Sequence, residues 1–175
     1  MGPEPATFPR DPCDPASLYA LSKLAAFHLG RALTKSTGTT FAWARVFHPY
    51  GPGEDPARVL PSVAAALRSG TAIELSNCLQ QRDPVRVEDV ASALALLASS
   101  SAEGPFNVCG GAGISLRELL EELGRRIGRP ELLLFERRPD RAGEPSCLVG
   151  DPGRLRSLGW QPAFPPVAEG LDYLC

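Results

Sequence analysis

No uninterrupted apolar run in the sequence approaches the ~18 residues that a membrane-crossing helix requires. The first residues, MGPEPATFPRDP, lack the basic stretch and following apolar stretch of a secretory signal. Paired cysteine spacings are missing too: Cys13, Cys78, Cys109, Cys147 and Cys175 form no CxxC, and their number is odd. With no export signal, this predicts reduced thiols in the cytoplasm and argues against a disulfide framework or a bound metal. Charge of one sign is absent, since 18 basic residues face 20 acidic ones for a net of −2. Such a balance gives no global attraction to nucleic acid or to an anionic membrane. Lysine is scarce, so Lys23 and Lys35, the two present, stand out against the arginines. No repeat of solenoid period occurs.

What remains is an ordinary globular composition, 43% hydrophobic and 22% charged over 175 residues. That length suits one domain, or one domain with a small lobe. Proline (18) and glycine (17) punctuate short elements rather than forming a biased tract. Asp14-Pro15 reads as a helix cap followed by proline at the first helical position. Leu18, Leu21, Ala25, Leu29 and Ala32 then recur at helical spacing, and Gly38 ends the helix. TTFAWARVF reads as a buried strand ending near Phe47, and HPYGPGEDP (48–56) as a turn cluster. Further helices are expected over 57–69, from Glu88-Asp89 to about Ser99, over 115–127 behind a Ser115/Glu118 capping box, over 151–158, and over about 166–174. TAIEL, PVRV, PFNVC and LLLFE read as short strands. Strands that alternate with helices predict an α/β fold with some parallel sheet.

Tyr19 and Lys23 stand four apart on one helix and therefore share a face. A phenol is a poor proton-transfer group at neutral pH, and a neighbouring ammonium favours the phenolate. The same spacing also suits a plain core-and-rim pair. Gly110, Gly111 and Gly113 lie between a strand and a helix, where a phosphate cradle would sit. The pattern is GGxG rather than GxGxxG, and no acidic ribose ligand follows at ~20 residues, so a tight turn is the expectation. His28 is expected to pack, Asp83 and Asp89 to fix a turn and cap the next helix, and Trp160 to anchor a C-terminal lobe.

Together with Y-A-L-S-K (19–23), the segments ARVFHPYGPGEDP (44–56), QRDPVRVEDVASAL (81–94), FNVCGGAGISLREL (106–119), RAGEP (141–145) and DPGRLRSLGWQP (151–162) follow in a telling order. From about residue 14 to the end, the chain resembles the extended short-chain dehydrogenase/reductase family, in its nucleotide-sugar epimerase, dehydratase and reductase branch. The resemblance implies the C-terminal part of a doubly wound, Rossmann-like parallel sheet with a small α/β substrate-binding lobe. Roughly 14–50 and 88–110 would belong to the Rossmann part, and roughly 51–87 and 111–175 to the substrate lobe. The family's N-terminal dinucleotide-binding half, with its glycine-rich loop and catalytic Ser or Thr, is expected to be absent from these residues.

The resemblance also implies roles. Tyr19 would be the catalytic acid–base and Lys23 its partner on the nicotinamide ribose. Phe47 would lie beside a bound NAD or NADP. His48, where the family carries Asn, would meet the substrate. Arg82 and Arg141 would contact the diphosphate of a nucleotide-sugar, with Arg138 competing for the second role. Pro84 departs from an aromatic usual in the family. A homodimer through the Tyr19 helix is expected. The isolated chain is expected to be inactive, and a non-catalytic remnant or binding module is the alternative reading.

Overall fold

A computed structural model describes residues 17–164 and 170–175. The helix α1 (Leu18–Thr37) starts at Ser17, whose hydroxyl accepts the Ala20 N–H at 3.1 Å. The Asp14-Pro15 cap expected from the sequence lies outside the described residues. Gly38 closes the helix with φ 70°, a left-handed conformation that glycine adopts without steric cost. The apolar stripe of α1 does not face the core. Leu18 is 86% exposed and Leu29 71%, and the one buried residue of the helix is Phe27, on the opposite side. Phe27 packs on Phe41 and Trp43 with ring centroids 6.1 and 5.7 Å away. Backbone and ring approach so closely there that a Cβ on Gly30 would fall 2.4 Å from Phe41 Cζ. His28, expected to pack, is exposed.

The strand β1 (Ala42–Val46) runs parallel to β6 (Gly104–Val108), with Ala44 opposite Phe106. Residues of a strand alternate between faces. Ala42 and Ala44 accordingly pack against a cluster containing Val90, Ala93 and Leu97 of α3 (Val87–Ala98), together with Leu155 of α5 (Gly153–Arg156). Trp160 belongs to this cluster, beneath the β1–β6 pair, and its indole N–H donates to Ser92 Oγ at 2.9 Å. It thus anchors the segment 151–160 to α3.

A second cluster joins α2 (Val59–Arg68) to α4 (Leu116–Ile127). Leu120 and Leu123 are fully buried in it, as their helical spacing predicts. The Ser115/Glu118 capping box is present in both directions. The parallel strands β3 (Ile73–Glu74) and β8 (Leu133–Leu134) flank this cluster. A 3-10 turn, Pro130–Leu132, precedes β8, so only part of the expected LLLFE strand forms.

Between the clusters lie further short strands, of which the sequence pattern indicates only PVRV. The expected turn at 48–56 opens with β2 (His48–Tyr50), parallel to β5 (Pro84–Arg86). The strand β4 (Gln81–Arg82) sits between β7 (Ile114–Ser115), antiparallel to it, and β9 (Cys147–Leu148), parallel. Strands of two residues are too short to show alternation. Of the helix expected over 166–174, residues 165–169 lie outside the described residues and Asp172–Leu174 forms a 3-10 turn. No described helix is long and apolar enough to cross a membrane.

One buried carboxylate ties these parts together. Asp83 is fully buried and accepts N–H bonds from Gly110 at 2.7 Å, Gly111 at 3.0 Å and Gly150 at 3.2 Å. Burial pushes its carboxyl above the usual aspartate range, and the N–H donors and the Cys109 thiol pull the other way. Asp89 is buried too, but it does not cap α3. Its carboxylate receives the N–H groups of Ala163 and Phe164 at 2.7 and 3.3 Å. Asp83→Asn sets an amide NH2 against backbone donors, so unfolding in urea is expected to cost about 2–4 kcal/mol less than in the parent. A loss under about 0.5 kcal/mol would show the chain holds these loops without Asp83.

Candidate functional site

Tyr19 and Lys23 stand one turn apart on α1, and the Lys23 Nζ lies 5.3 Å from the Tyr19 ring centroid. The phenol is open to solvent, at 73% exposure. Ser17 caps the helix two residues before Tyr19, so the pair occupies the first two turns.

A second group gathers around β2 and β4. The register of β2 on β5 places His48 opposite Pro84, and the His48 N–H reaches Asp83 O at 3.4 Å. The imidazole is half-buried, and its Nδ1 has no hydrogen-bond partner among the described residues. Burial, then the charges of Arg82 and Arg58, lower its pKa from 6.5, and Glu144 opposes them. Arg82 is held by three acceptors: Gln81 O at 2.8 Å, Pro145 O at 3.0 Å and Glu144 Oε1 at 2.5 Å. Its side chain is only 11% exposed.

Arg141 lines a recess of about 200 Å³ with Glu144, Asp140, Asn77 and Gln80. Asn77 closes one wall by donating from its side-chain amide to Asp140 Oδ2 at 2.5 Å and from its backbone N–H to Oδ1 at 3.2 Å. The structure therefore brings His48, Arg82 and Arg141 to one region, and it adds Glu144, which sequence reasoning passed over. Its signal was available: Glu144 lies in the same RAGEP segment as Arg141. Arg138 points elsewhere, with its Nε 3.9 Å from Glu74. Phe47 packs its ring against Gly150, where an added Cβ would fall 2.6 Å from Phe47 Cζ.

The glycine turn is not a phosphate cradle. Such a cradle needs free N–H groups, and those of Gly110 and Gly111 are bound to Asp83. A Cβ on Gly111 would meet Pro152 at 2.9 Å, and one on Gly113 would meet Val149 at 2.7 Å. These glycines allow close packing of loops on one another. Among the described residues, no cluster of His, Cys, Asp and Glu has the composition of a metal site.

Comparison with known proteins adds the following. The model of the NAD dependent epimerase/dehydratase family matches residues 2–109. A curated relative, the GDP-6-deoxy-D-mannose reductase of Pseudomonas aeruginosa, is 34% identical over 161 residues, which cover 85% of this chain and 51% of that protein. The UDP-glucose 4-epimerase of Thermus thermophilus, solved in complex with NAD, superposes with a TM-score of 0.82 at 30% identity, over 93% of this chain and 55% of that one. The P. aeruginosa protein RMD, solved with NADPH, gives 0.78 at 31% identity, over 89% and 53%. The chain thus spans about half the length of the relatives it matches.

His48 carries a pH signature. Its pKa is depressed on folding, so the stability tied to its neutral form is present above the unfolded value of about 6.5 and is lost as pH falls below it. The parent is expected to lose stability relative to His48→Asn between pH 7 and pH 5, read from urea midpoints. Parallel curves for the two proteins would mean that His48 protonates as freely folded as unfolded.

Proposed function

The chain belongs to the NAD-dependent epimerase/dehydratase family, and we propose that it is the portion of a nucleotide-sugar epimerase, dehydratase or reductase that carries the proton-transfer pair and the clamp for the substrate diphosphate. Arg82 carries this reading. A guanidinium with three fixed acceptors on one side is aimed before any ligand arrives, and its remaining donors suit phosphate oxygens. Arg141, exposed at the neighbouring recess, supplies a second cation with no ion pair among the described residues.

In this reading Tyr19 Oη takes a proton from a sugar hydroxyl in one direction and returns it in the other. The Lys23 ammonium supplies positive charge that favours the phenolate from which this proton uptake starts. His48, neutral and with Nδ1 unpartnered, offers a hydrogen bond to substrate without adding a third cation to the arginines. Bound NAD or NADP supplies hydride acceptance and donation at the sugar carbon. Tyr19, Lys23 and Phe47 are assigned to the nicotinamide end of that cofactor. The glycine turn does not fit its diphosphate, because the Gly110 and Gly111 N–H groups are bound to Asp83. These 175 residues alone are therefore assigned substrate binding without turnover. Epimerisation is the preferred reaction within the branch, in a reducing, cytoplasmic setting that the free thiols of Cys78, Cys109, Cys147 and Cys175 suit. The β1–β6 side belongs to the Rossmann part and the α2–α4 side to the substrate lobe.

The exposed stripe of α1 supports a homodimer. Leu18, Leu21, Leu29 and Leu33 form an apolar surface that a second copy of the helix would cover. Light scattering is expected to report a dimer for the parent and a monomer for Leu29→Arg. A monomeric parent at micromolar concentration would remove this assignment.

The functional reading itself is tested by calorimetric titration with UDP-, GDP- and dTDP-sugars. One of them is expected to saturate, and Arg82→Gln is expected to weaken it about tenfold or more, as loss of a charge-assisted pair implies. No saturation by any nucleotide-sugar, from a protein folded by circular dichroism, would defeat the reading. In parallel, NADH is expected to give no saturable energy transfer from Trp43 and Trp160. Transfer abolished by Tyr19→Phe/Lys23→Ala would show that a complete cofactor site is present after all.

A further inference from the structure

At the opposite end of β1 from His48 lies a cavity of about 590 Å³, and the function above gives it no role. Arg31 and Lys35 of α1 line one wall. Thr39 and Phe41 form the approach to β1, and Glu103 and Arg154 close the far side. The volume is that of an ordinary small-molecule site.

Its charge is unbalanced. Three cations face one carboxylate, Glu103, and none of the three forms an ion pair among the described residues. Arg154 donates to Pro105 O at 2.6 Å and Glu103 O at 2.9 Å, so it is held by neutral carbonyls that leave its charge uncompensated. Its guanidinium also stacks on Phe106, 4.4 Å from the ring centroid. Arg31 is stacked on Phe27 at 5.5 Å. Arg31 and Lys35 stand four apart on one helical face, a like-charge spacing that weakens a helix. The negative end of the α1 dipole accounts for Lys35 in the last turn, but not for Arg31 or Arg154. On α4, by contrast, Arg117, Arg125 and Arg126 each pair with an acid. The cavity wall includes Gly104 and Pro105 of β6.

We propose that this cavity binds a small phosphorylated ligand carrying at least two negative charges, at a site separate from the Arg82 clamp. Arg31 and Lys35 supply the movable donors, Arg154 a fixed positive charge, and the Thr39 hydroxyl a neutral contact. Glu103 limits affinity by repulsion.

Inorganic pyrophosphate is the probe, titrated calorimetrically into the 175-residue protein. Saturable binding is expected, weakening severalfold as sodium chloride rises from about 50 to 300 mM because surface charges are screened. Lys35→Gln, an exposed change outside the core, is expected to weaken binding about fivefold, and Arg31→Gln/Lys35→Gln to remove it. Glu103→Gln is expected to tighten it about twofold or more, which no loss of folding can imitate. Arg82→Gln is expected to leave it unchanged. Absence of saturation overturns the proposal. So does binding that Arg82→Gln abolishes and the α1 pair leaves intact, for the probe would then occupy the substrate clamp. Because nucleotide-sugar binding is read separately through Arg82→Gln, either site can fail without the other.

Discussion

The carboxylate of Asp83 is the constraint on which this structure turns. A fully buried charge is tolerable only where hydrogen bonds replace its water, and here three N–H groups from two separate loops do so. Those loops are the glycine turn after β6 and the segment between β9 and α5. Asp83 itself lies between β4 and β5. A single side chain thereby fixes three of the places where the chain passes between its two apolar clusters. Its neighbours are the residues assigned to function: Arg82 precedes it, and its carbonyl accepts the His48 N–H. The Cys109 thiol is pushed up to about 12, chiefly by burial and next by the Asp83 charge, so it stays a packed, protonated group.

How much of this was legible in the sequence depended on length and period. α4 was plain, because Leu116, Leu119, Leu120, Leu123 and Ile127 repeat over three turns and its cap is chemically explicit. β1 and β6 were legible from their β-branched and aromatic runs. β4, β7 and β9 were not, since two residues cannot display a period and their pairing is decided by contacts far along the chain. α1 was legible as a helix and misleading as to its face. Periodicity reports that a stripe is apolar, not what covers it. The buried contact of α1 rests on Phe27 and Gly30, which no stripe announces.

The candidate site was read in much the same way. The Tyr19/Lys23 pair is local, four residues apart, so spacing alone placed both side chains on one surface. Arg82 and Arg141 came from resemblance, and the fold brings both beside Glu144. Glu144 escaped notice because an acid among arginines looks like surface charge until its 2.5 Å contact with Arg82 is seen. The glycine run shows the reverse case. Read as letters it suggested a phosphate loop, and only the destination of its N–H groups shows that their bonding capacity is already taken.

The seating of α1 has a mechanical consequence. The helix rests on the sheet where Gly30 meets the Phe41 ring, and Tyr19 lies eleven residues away along the axis. At 1.5 Å per residue that is a lever of about 16 Å. A tilt of only about 5° about this fulcrum swings the phenol by more than an ångström, a displacement that costs a proton-transfer site on the order of a hundredfold in rate. Whatever clamps the outer side of the lever sets the aim of the Tyr19 oxygen, the proposed proton-transfer atom. In such an arrangement the cover over a helix far from any substrate becomes part of the chemistry.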